Sequence, residues 1–356
     1  MLHPSSAEEW LEPDAGRLAC PVLRGRRRSN APLLPDQLHG IDGRNVTVLR
    51  RQVRRAQLPS LIAQLPPCVV AMEACASAHY WGRQIRALGH RVKLIPPQYV
   101  KPFVRGNKTD RNDAEAICEA ALRPEMPTVA VKNEDQQALL SLHRMRQLLE
   151  KQRKQLANQL RGLLGEFGIA IPVGTAPLRA ALPKAIEAVP VLLRPSLQQC
   201  AERWRELQRQ CTQFTQQIEQ LAQASPLCRR FMRESGIGPL TASTFAATIG
   251  DPSYFRNGRQ VSASLGIVPR QHSSGGKPLL LGISKRGDPY LRMLLIHGAR
   301  SVLRRAPGKT DPLSRWLQQL AARRGVNKTA VALANKNARR LWAIWRAEGA
   351  ALATAT

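Results

Sequence analysis

Two aspartates, Asp110 and Asp113, lie three residues apart in the stretch RGNKTDRNDAEAI at residues 105–117. Residues three apart share one face of a helix, so the two carboxylates repel each other unless a positive charge lies between them. Mg²⁺ would relieve this repulsion, because it binds a few carboxylates together with waters and phosphate oxygens. The alternative is a helix start, with Asp110 near the N-cap and Asp113 stabilised by the helix dipole.

A third acid, Glu73, ends the apolar part of the segment CVVAMEA at residues 68–74. A carboxylate at the end of a buried strand is costly unless it is paired or bound to metal. Strand ends are also where α/β sheets place their functional sites. Together with Asp110 and Asp113, Glu73 could hold metal for phosphodiester chemistry, in which two ions clamp the attacking and leaving oxygens. The alternative for Glu73 is a structural salt bridge.

The polar segment PRQHSSGGKP at residues 269–278 contains hydroxyl groups that could attack phosphorus. A serine becomes nucleophilic when a neighbouring group or a metal ion removes its proton. The alternative is a surface linker. Phosphate contacts are also predicted from a glycine turn that resembles a helix-hairpin-helix and from nearby cations, with ordinary packing or solvated charge as the alternative. The residues concerned are Gly236, Gly238, Lys277, Lys285 and Arg286.

The charge of the chain predicts a polyanionic partner. The 356 residues contain 54 Lys and Arg against 25 acids, a net charge of +29. Nucleic acid is the usual partner of such an excess, and a ribosomal or membrane-surface role is the alternative. No apolar stretch is long enough to span a membrane, no signal peptide is visible, and the seven scattered cysteines are typical of a reducing compartment. We therefore expect a cytoplasmic protein with no membrane partner.

The elements that position these residues follow from hydrophobic periodicity. Residues 45–51, 68–74 and 91–97 read as strands, with a helix before Gly89, which predicts a βαβ unit and a sheet covered by helices. A further helix is predicted at about residues 109–123. Residues 1–36 mix Arg and Pro without a period and are predicted to lack regular structure.

The middle of the chain predicts two long helices, over residues 134–168 and about 195–223, joined by a proline-rich segment that turns the chain back. In the second helix, apolar residues alternate at spacings of three and four, which is typical of a coiled coil. Two rows result: Leu197, Trp204, Cys211 and Ile218, and Cys200, Leu207, Phe214 and Leu221. A helical hairpin that dimerises and an internal helical bundle both remain open.

Several segments together resemble one protein family in order and spacing. They are MEACASAHYW, NKTDRNDAEAI, the long helix LHRMRQLLEKQRKQLANQLRGLLGEFGI, GIGPLTASTFAATIGD and SLGIVPRQHSSGGK. Over residues 37–347 the chain resembles bacterial insertion-sequence transposases of the DEDD family, one-hundred-ten type, described as bridge-RNA-guided recombinases.

The resemblance implies an α/β plus α architecture. It divides the chain into a ribonuclease-H-like DEDD domain, coiled-coil helices, a mostly helical C-terminal transposase domain and a short tail. The implied boundaries are 37–132, 133–225, 226–347 and 348–356. Residues 1–36 would be an irregular, possibly out-of-frame or mis-started segment, with the first strand of the DEDD domain lost.

The resemblance also implies a mechanism. In the family, four acids bind Mg²⁺, and a serine attacks DNA and becomes covalently linked to it. Glu73, Asp110 and Asp113 match the second, third and fourth acids, and Ser274 matches the nucleophile, with Ser273 beside it. The implied partners are the element's DNA ends and target, a structured guide RNA, and further copies of the chain in a dimer or tetramer, in which acids of one subunit meet the serine of another.

The first acid of the family has no match here. An ungapped register places Asn30 at its position, and Asn cannot replace the charge of a carboxylate. Asp42 falls where the family has a hairpin turn, and Asp36 would need a shift in register. The chain is therefore expected to be a transposase or, alternatively, a catalytically inactive nucleic-acid-binding remnant of one. A junction resolvase that uses water instead of serine is the third reading.

Overall fold

The computed structural model describes residues 18–22, 36–107 and 109–354. It is a mostly helical α/β structure with two small sheets. The contacts divide the chain into two compact units, one comprising Met1–Glu134 with Ile249–Tyr254 and the other comprising Asp135–Thr248 with Phe255–Thr356. No helix within the described ranges is both long and apolar enough to cross a membrane.

The first unit is built on a five-stranded sheet. Its strands are β1 Leu18–Val22, β2 Asp36–Ile41, β3 Thr47–Val53, β4 Val69–Glu73 and β5 Arg91–Ile95. The order across the sheet is β3-β2-β1-β4-β5, with β1 antiparallel to β2 and parallel to β4. The three strands predicted from periodicity are confirmed as β3, β4 and β5.

The strand β1 was not predicted, because little regular structure was expected in residues 1–36, and it corrects the expectation that the first strand of the DEDD domain is lost. Leu18–Val22 pair with β2 on one side and with β4 on the other. The sequence LACPV is short and contains Pro21, which cannot donate a ladder hydrogen bond, so propensity argued against a strand. Pairing with two neighbours outweighs that propensity, because both would otherwise expose an edge.

Helices cover both faces of the sheet. On one face, α1 Leu58–Ala63 and α2 Ala78–Ala87 pack against inward-facing residues such as Leu38, Val70 and Leu94. On the other face lies α4 Asp110–Leu122, reached through the short helix α3 Pro97–Val100. The helix predicted at about 109–123 is therefore confirmed. Gly89, which has a left-handed backbone conformation, follows the end of α2, as expected.

The second unit is helical apart from one hairpin. Its helices are α5 Glu134–Gly165, α6 Thr175–Glu187, α7 Arg194–Ala224, α8 Pro226–Phe231, α9 Pro239–Ile249, α10 Gly258–Ser264, α11 Pro289–Arg304, α12 Pro312–Arg324 and α13 Val326–Thr354. Strands β6 Pro269–Gln271 and β7 Leu280–Ile283 form the hairpin. The two predicted long helices are confirmed as α5 and α7, and the proline-rich connection contains α6.

The long helices pack within the chain. Side chains of α5, α6 and α7 share one core, which includes Leu160, Leu178 and Trp204. Every residue of the first predicted apolar row of α7 is buried, whereas Leu221 of the second row is 45% exposed. The first row therefore serves the internal bundle. Dimerisation through these helices stays a prediction, as does the division of residues 133–347 into two domains.

A close contact between two glycines joins α11 to the turn before α9. Gly236 has a φ of +85°, and a Cβ built on Gly298 would lie 1.9 Å from the Gly236 carbonyl oxygen. Two backbones can approach this closely only when neither residue carries a side chain. The glycine at 236 is thus required by packing against α11.

We expect Gly298→Ala to destabilise the second unit by about 3 kcal/mol or more, because its methyl group cannot fit against Gly236. Gly162→Ala is the matched control, because Gly162 also lies in a helix but a Cβ there has no described atom within 4 Å. That control should leave stability unchanged or raise it by up to about 1 kcal/mol. Urea unfolding of both variants provides the measurement, and equal midpoints would contradict the close packing.

His143 forms the centre of a buried polar network in the second unit. Its ring nitrogens lie 3.2 Å from the Tyr290 hydroxyl and 3.0 Å from the Ser243 hydroxyl, and Thr244 Oγ1 lies 3.2 Å from Nε2. Burial lowers the pKa of His143 from 6.5 to about 4. The imidazole is therefore neutral at physiological pH and links α5 to α9 and α11.

A depressed histidine pKa makes stability depend on pH. Between pH 6.5 and about 4 the unfolded chain binds a proton at residue 143 that the folded chain excludes, so the free energy of unfolding falls by up to about 3 kcal/mol as the pH is lowered. His143→Gln should flatten this slope, because an amide does not titrate. His297→Gln, at an exposed position, should leave it unchanged in denaturant titrations at several pH values.

Candidate active site

The amino end of α4 carries the paired aspartates. Thr109 is the N-cap, and its Oγ1 accepts a hydrogen bond of 3.1 Å from the Asn112 backbone N–H. Asp110 is the first helical residue and Asp113 lies in the first turn, so both are stabilised by the helix dipole. The N-cap is thus Thr109, and the two half-buried carboxylates lie in the first turn, as the helix-start alternative predicts.

Glu73 is the last residue of β4, where it is paired in register with Ile95 of β5. Glu73 is two residues from buried Ala71 in the strand, so both side chains lie on the face of the sheet that α4 covers. The structure therefore locates Glu73, Asp110 and Asp113 in the same unit, on the strand and helix that share one hydrophobic core.

Glu115, two residues after Asp113 in α4, belongs to a separate ion cluster. Its Oε1 lies 3.0 Å from Arg50 Nη2, 3.5 Å from Arg111 Nε and 3.9 Å from His39 Nδ1. Burial lowers the pKa of His39, which opposes a full charge on that ring. Glu115 is thus paired with the arginines of β3 and α4 and belongs to this cluster and not to the candidate site.

The carboxylates of Glu73, Asp110 and Asp113 are suitable ligands for a hard divalent cation. Their arrangement in the structure does not form a metal site. In the described part of the chain, no three residues among His, Cys, Asp and Glu are grouped so that they could hold a metal ion. The predicted Mg²⁺ group of Glu73, Asp110 and Asp113 is therefore not formed as a three-carboxylate site in this structure. The assignment of Mg²⁺ to these acids stays a prediction.

The strand that should supply the first acid carries none. The sequence of β1 is LACPV, and Asn30, which the ungapped register places at the missing acid, lies outside the described residues. Asp42 occupies the turn after β2, where its Oδ1 accepts hydrogen bonds of 2.9 Å from the backbone N–H groups of Arg44 and Val46. Asp42 therefore has a turn-forming role, as the sequence indicated.

Asp36 begins β2 but faces away from Glu73. Asp36 and Leu38 are two residues apart in β2 and therefore share a face, and Leu38 packs on the α2 side of the sheet. Glu73 lies on the α4 side. The Asp36 carboxylate is 2% exposed and paired with Arg55, whose Nε and Nη2 lie 3.2 and 3.1 Å from Oδ2 and Oδ1. That hydrogen bond raises the pKa of Arg55. Asp36 consequently cannot substitute for the missing acid.

The serine segment folds as a β-hairpin and not as a flexible linker. Ser274 and Lys277 form a bridge pair, with the Lys277 N–H donating to the Ser274 carbonyl at 3.0 Å. Gly275 and Gly276 between them have φ values of +56° and +75°. Positive φ at both central residues defines a type I′ turn, which the Gly-Gly pair in the sequence could have revealed.

The hairpin register separates the two candidate serines. The Ser273 hydroxyl accepts a hydrogen bond of 2.9 Å from the Gln271 side-chain amide. Ser274 lies on the opposite face, because neighbouring residues of a strand alternate. Its cross-strand neighbour is Lys277, and His272, two residues earlier, lies on the same face. That His272 and Ser274 share a face was not predicted, since spacing along a loop does not show which residues share a face.

The other predicted phosphate contacts lie on different parts of the second unit. Gly238 is exposed and a Cβ there would meet nothing within 4 Å, whereas Gly236 is packed against α11. Lys285 and Arg286 are exposed in the turn between β7 and α11, and Lys285 has a φ of +55°. The amino end of α11 itself is occupied by the Asp288 carboxylate, which caps two backbone N–H groups.

Comparison with known proteins defines the class. A DEDD-type family model described as a transposase (IS110) matches residues 42–169, and one described as Transposase IS116/IS110/IS902 family matches residues 228–313. The chain is 51% identical over 316 residues to a probable family 20 transposase of Pseudomonas aeruginosa, covering 86% of this chain and 93% of that one. Glu73, Asp110, Asp113 and Ser274 lie in the matched regions.

Two insertion-sequence proteins agree with this. The transposase for insertion sequence element IS1111A of Coxiella burnetii is 44% identical over 312 residues, covering 86% of each chain. The transposase for IS1328 of Yersinia enterocolitica is 43% identical over 300 residues, covering 84% of this chain and 90% of the relative. The chain is thus an insertion-sequence transposase. It belongs to the IS116/IS110/IS902 family.

We expect Asp36→Asn to lower the free energy of unfolding by about 1–2 kcal/mol, because Arg55 loses its charged partner; the partial exposure of Arg55 keeps the loss moderate. Asp42→Asn is the control, since an amide oxygen can still accept the two turn hydrogen bonds of this half-buried residue. Urea titration compares the two variants. Equal midpoints would show that the buried ion pair contributes nothing.

Proposed function

We propose that this transposase cleaves and exchanges DNA strands with Ser274 as its nucleophile. The observation that supports this most directly is the position of Ser274, which is exposed at the closing pair of a tight turn, inside the region matched by the family model. A hydroxyl held in this way can approach a phosphodiester without moving the surrounding helices. Attack by serine would produce a covalent protein–DNA intermediate.

The proposed assignment of Ser274 over Ser273 follows from the hairpin contacts. The Ser273 hydroxyl accepts a hydrogen bond from the Gln271 side-chain amide. On that face of the hairpin, none of the paired residues is charged. Ser274 shares its face with Lys277, whose ammonium group attracts phosphate. The hydroxyl with a cationic neighbour is the better candidate for attack at an anionic phosphodiester.

For the first unit we infer a ribonuclease-H-like fold, supported by the strand order 3-2-1-4-5, in which β2 is antiparallel to both of its neighbours and β1, β4 and β5 are parallel. Glu73, Asp110 and Asp113 are the residues that would bind Mg²⁺, which would supply charge neutralisation at the phosphate when bound. Among the described residues these acids do not form a group of three that could hold a metal ion.

The proposed partners are the DNA of the element ends and target, a structured guide RNA and further copies of the chain, in a dimer or tetramer within the cytoplasm. Charge supports the nucleic acids: residues 289–347, which span α11, α12 and most of α13, contain thirteen Lys and Arg and a single acid. Such a surface binds the phosphate backbone with an affinity that falls steeply with salt.

A second candidate function is that of a catalytically inactive remnant that still binds nucleic acid. It is favoured by β1, which carries no acid, and by Asp36, which is buried on the other face of the sheet in an ion pair with Arg55. In this case the basic surface and the hairpin would be retained, whereas the metal-dependent chemistry would be lost.

The purified chain, incubated with Mg²⁺, RNA transcribed from its own element and a plasmid carrying the element ends, should form a covalent protein–DNA adduct. Ser274→Ala should abolish the adduct, because the attacking oxygen is removed, and Ser273→Ala should retain it. Denaturing gel electrophoresis of end-labelled DNA provides the measurement.

The remaining outcomes separate the readings. An adduct that persists in Ser274→Ala would disprove the serine assignment. Cleavage without an adduct would indicate attack by water. Salt-sensitive binding with neither cleavage nor adduct would favour the inactive remnant.

A further inference from the structure

The hairpin that carries Ser274 places two additional groups on the same face. We propose that His272 and Lys277 form, with Ser274, a surface that binds a phosphodiester and activates the serine hydroxyl. This inference rests on the proposed role of Ser274 as nucleophile. It adds a proton acceptor and a phosphate-binding cation that belong to the same hairpin as the serine.

The position of Lys277 follows from the turn. Ser274 and Lys277 are directly opposite each other in the ladder, joined by the hydrogen bond of 3.0 Å from the Lys277 N–H to the Ser274 oxygen. Side chains of directly opposed residues project from the same face, with Cβ atoms about 5 Å apart. The lysine stem can therefore carry its ammonium group to a non-bridging oxygen of a phosphate that Ser274 attacks.

The position of His272 follows from strand alternation. Its backbone N–H donates to the Leu279 carbonyl at 2.9 Å, which places His272 opposite Leu279, one ladder step of two residues from the Ser274–Lys277 pair. Residues two apart on a strand share a face and lie about 7 Å from each other. An imidazole at that distance can reach the serine hydroxyl and accept its proton.

The opposite face of the hairpin has a different composition. Its corresponding positions are Gln271, Ser273, Pro278 and Leu280, and none of these carries a charge. Arg270 lies between the paired residues Pro269 and Gln271, and the extra residue of the register shift belongs to β7, so alternation along β6 places Arg270 on the same face as His272. The two adjacent serines thus have contrasting surroundings, one among cationic and basic groups and one among neutral groups.

The chemical step conserves atoms and charge. A bond forms between Ser274 Oγ and phosphorus, and the hydroxyl proton passes to the imidazole of His272. The bond from phosphorus to the leaving sugar oxygen breaks on the opposite side of phosphorus; that oxygen takes up a proton from water, and the imidazolium releases its proton to water. The ammonium group of Lys277 offsets the negative charge on the non-bridging oxygens.

The rigidity of the turn supports a defined arrangement. Gly275 and Gly276 have φ values of +56° and +75°, which side-chain-bearing residues rarely adopt. With only two residues in the connection, the Ser274–Lys277 pair cannot slip without breaking the turn. The spacing of hydroxyl and cation is consequently set by the backbone.

Thiol reactivity tests this arrangement in the full-length chain without DNA. S274C and S273C each introduce a thiol at an exposed position, on opposite faces of the hairpin. The rate of alkylation by iodoacetamide is measured for each, alone and combined with K277Q or H272Q, by peptide mass spectrometry at low salt. The native Cys75 peptide serves as the internal reference.

At pH 7 we expect K277Q or H272Q to slow alkylation of the S274C thiol about two- to threefold, because a nearby cation or base favours the thiolate. The S273C thiol should not respond. The difference should disappear at pH 9.5, where most of the thiol is ionised, and K277R should restore the rate seen with lysine. Unchanged unfolding midpoints confirm that each variant is folded.

Equal S274C rates with and without K277Q and H272Q would overturn the inference, as would an equal response of S273C. Neither result bears on whether Ser274 attacks DNA, which the adduct formed by the native sequence decides. Conversely, an adduct that survives Ser274→Ala removes the proposed nucleophile even where the thiol rates respond as expected. The two proposals therefore fail by different observations.

Discussion

The packing of α4 against the sheet determines where the acidic residues of the first unit stand. Ala114, Ile117 and Ala121 are fully or almost fully buried against Ala71 and Ile95. Small alanine side chains let the helix lie close to the strands, and removing these apolar surfaces from water supplies the stabilisation. The helix cannot rotate without exposing this face, so Asp110 and Asp113 are held in its first turn, after the Thr109 cap.

A backbone constraint has the corresponding role in the second unit. The type I′ turn at Gly275 and Gly276 makes Ser274 and Lys277 cross-strand partners and assigns adjacent residues to opposite faces. A linker of the same composition would present all its polar side chains without order. The hairpin thereby distinguishes Ser274 from Ser273, two residues that are chemically identical.

Residues that look functional in a motif can have structural roles. Gly236 resembles a phosphate-binding glycine, yet Gly298 of α11 packs against its carbonyl oxygen. Asp36 lies near the expected position of the first acid, yet its carboxylate is buried in a pair with Arg55. The packing partner of Gly236 is more than fifty residues away in sequence, and that of Asp36 is fewer than twenty residues away. Only the contact with that partner reveals the role of each residue.

The sequence by itself determined the family, the net charge, the helix of Asp110 and Asp113 and the two long helices, because motifs, composition and hydrophobic period are local properties of the chain. It missed β1, since Pro21 disfavours a strand until β2 and β4 provide partners on both sides. It also left the α7 rows open, because a periodic pattern does not state which neighbour covers it. Only the tertiary structure decided that His272, Ser274 and Lys277 share a face, that Asp36 and Glu73 lie on opposite faces, and that the acids form no three-residue metal group among the described residues. These are relations between residues on different strands, and strand pairing and register arise from cooperative packing of the whole unit.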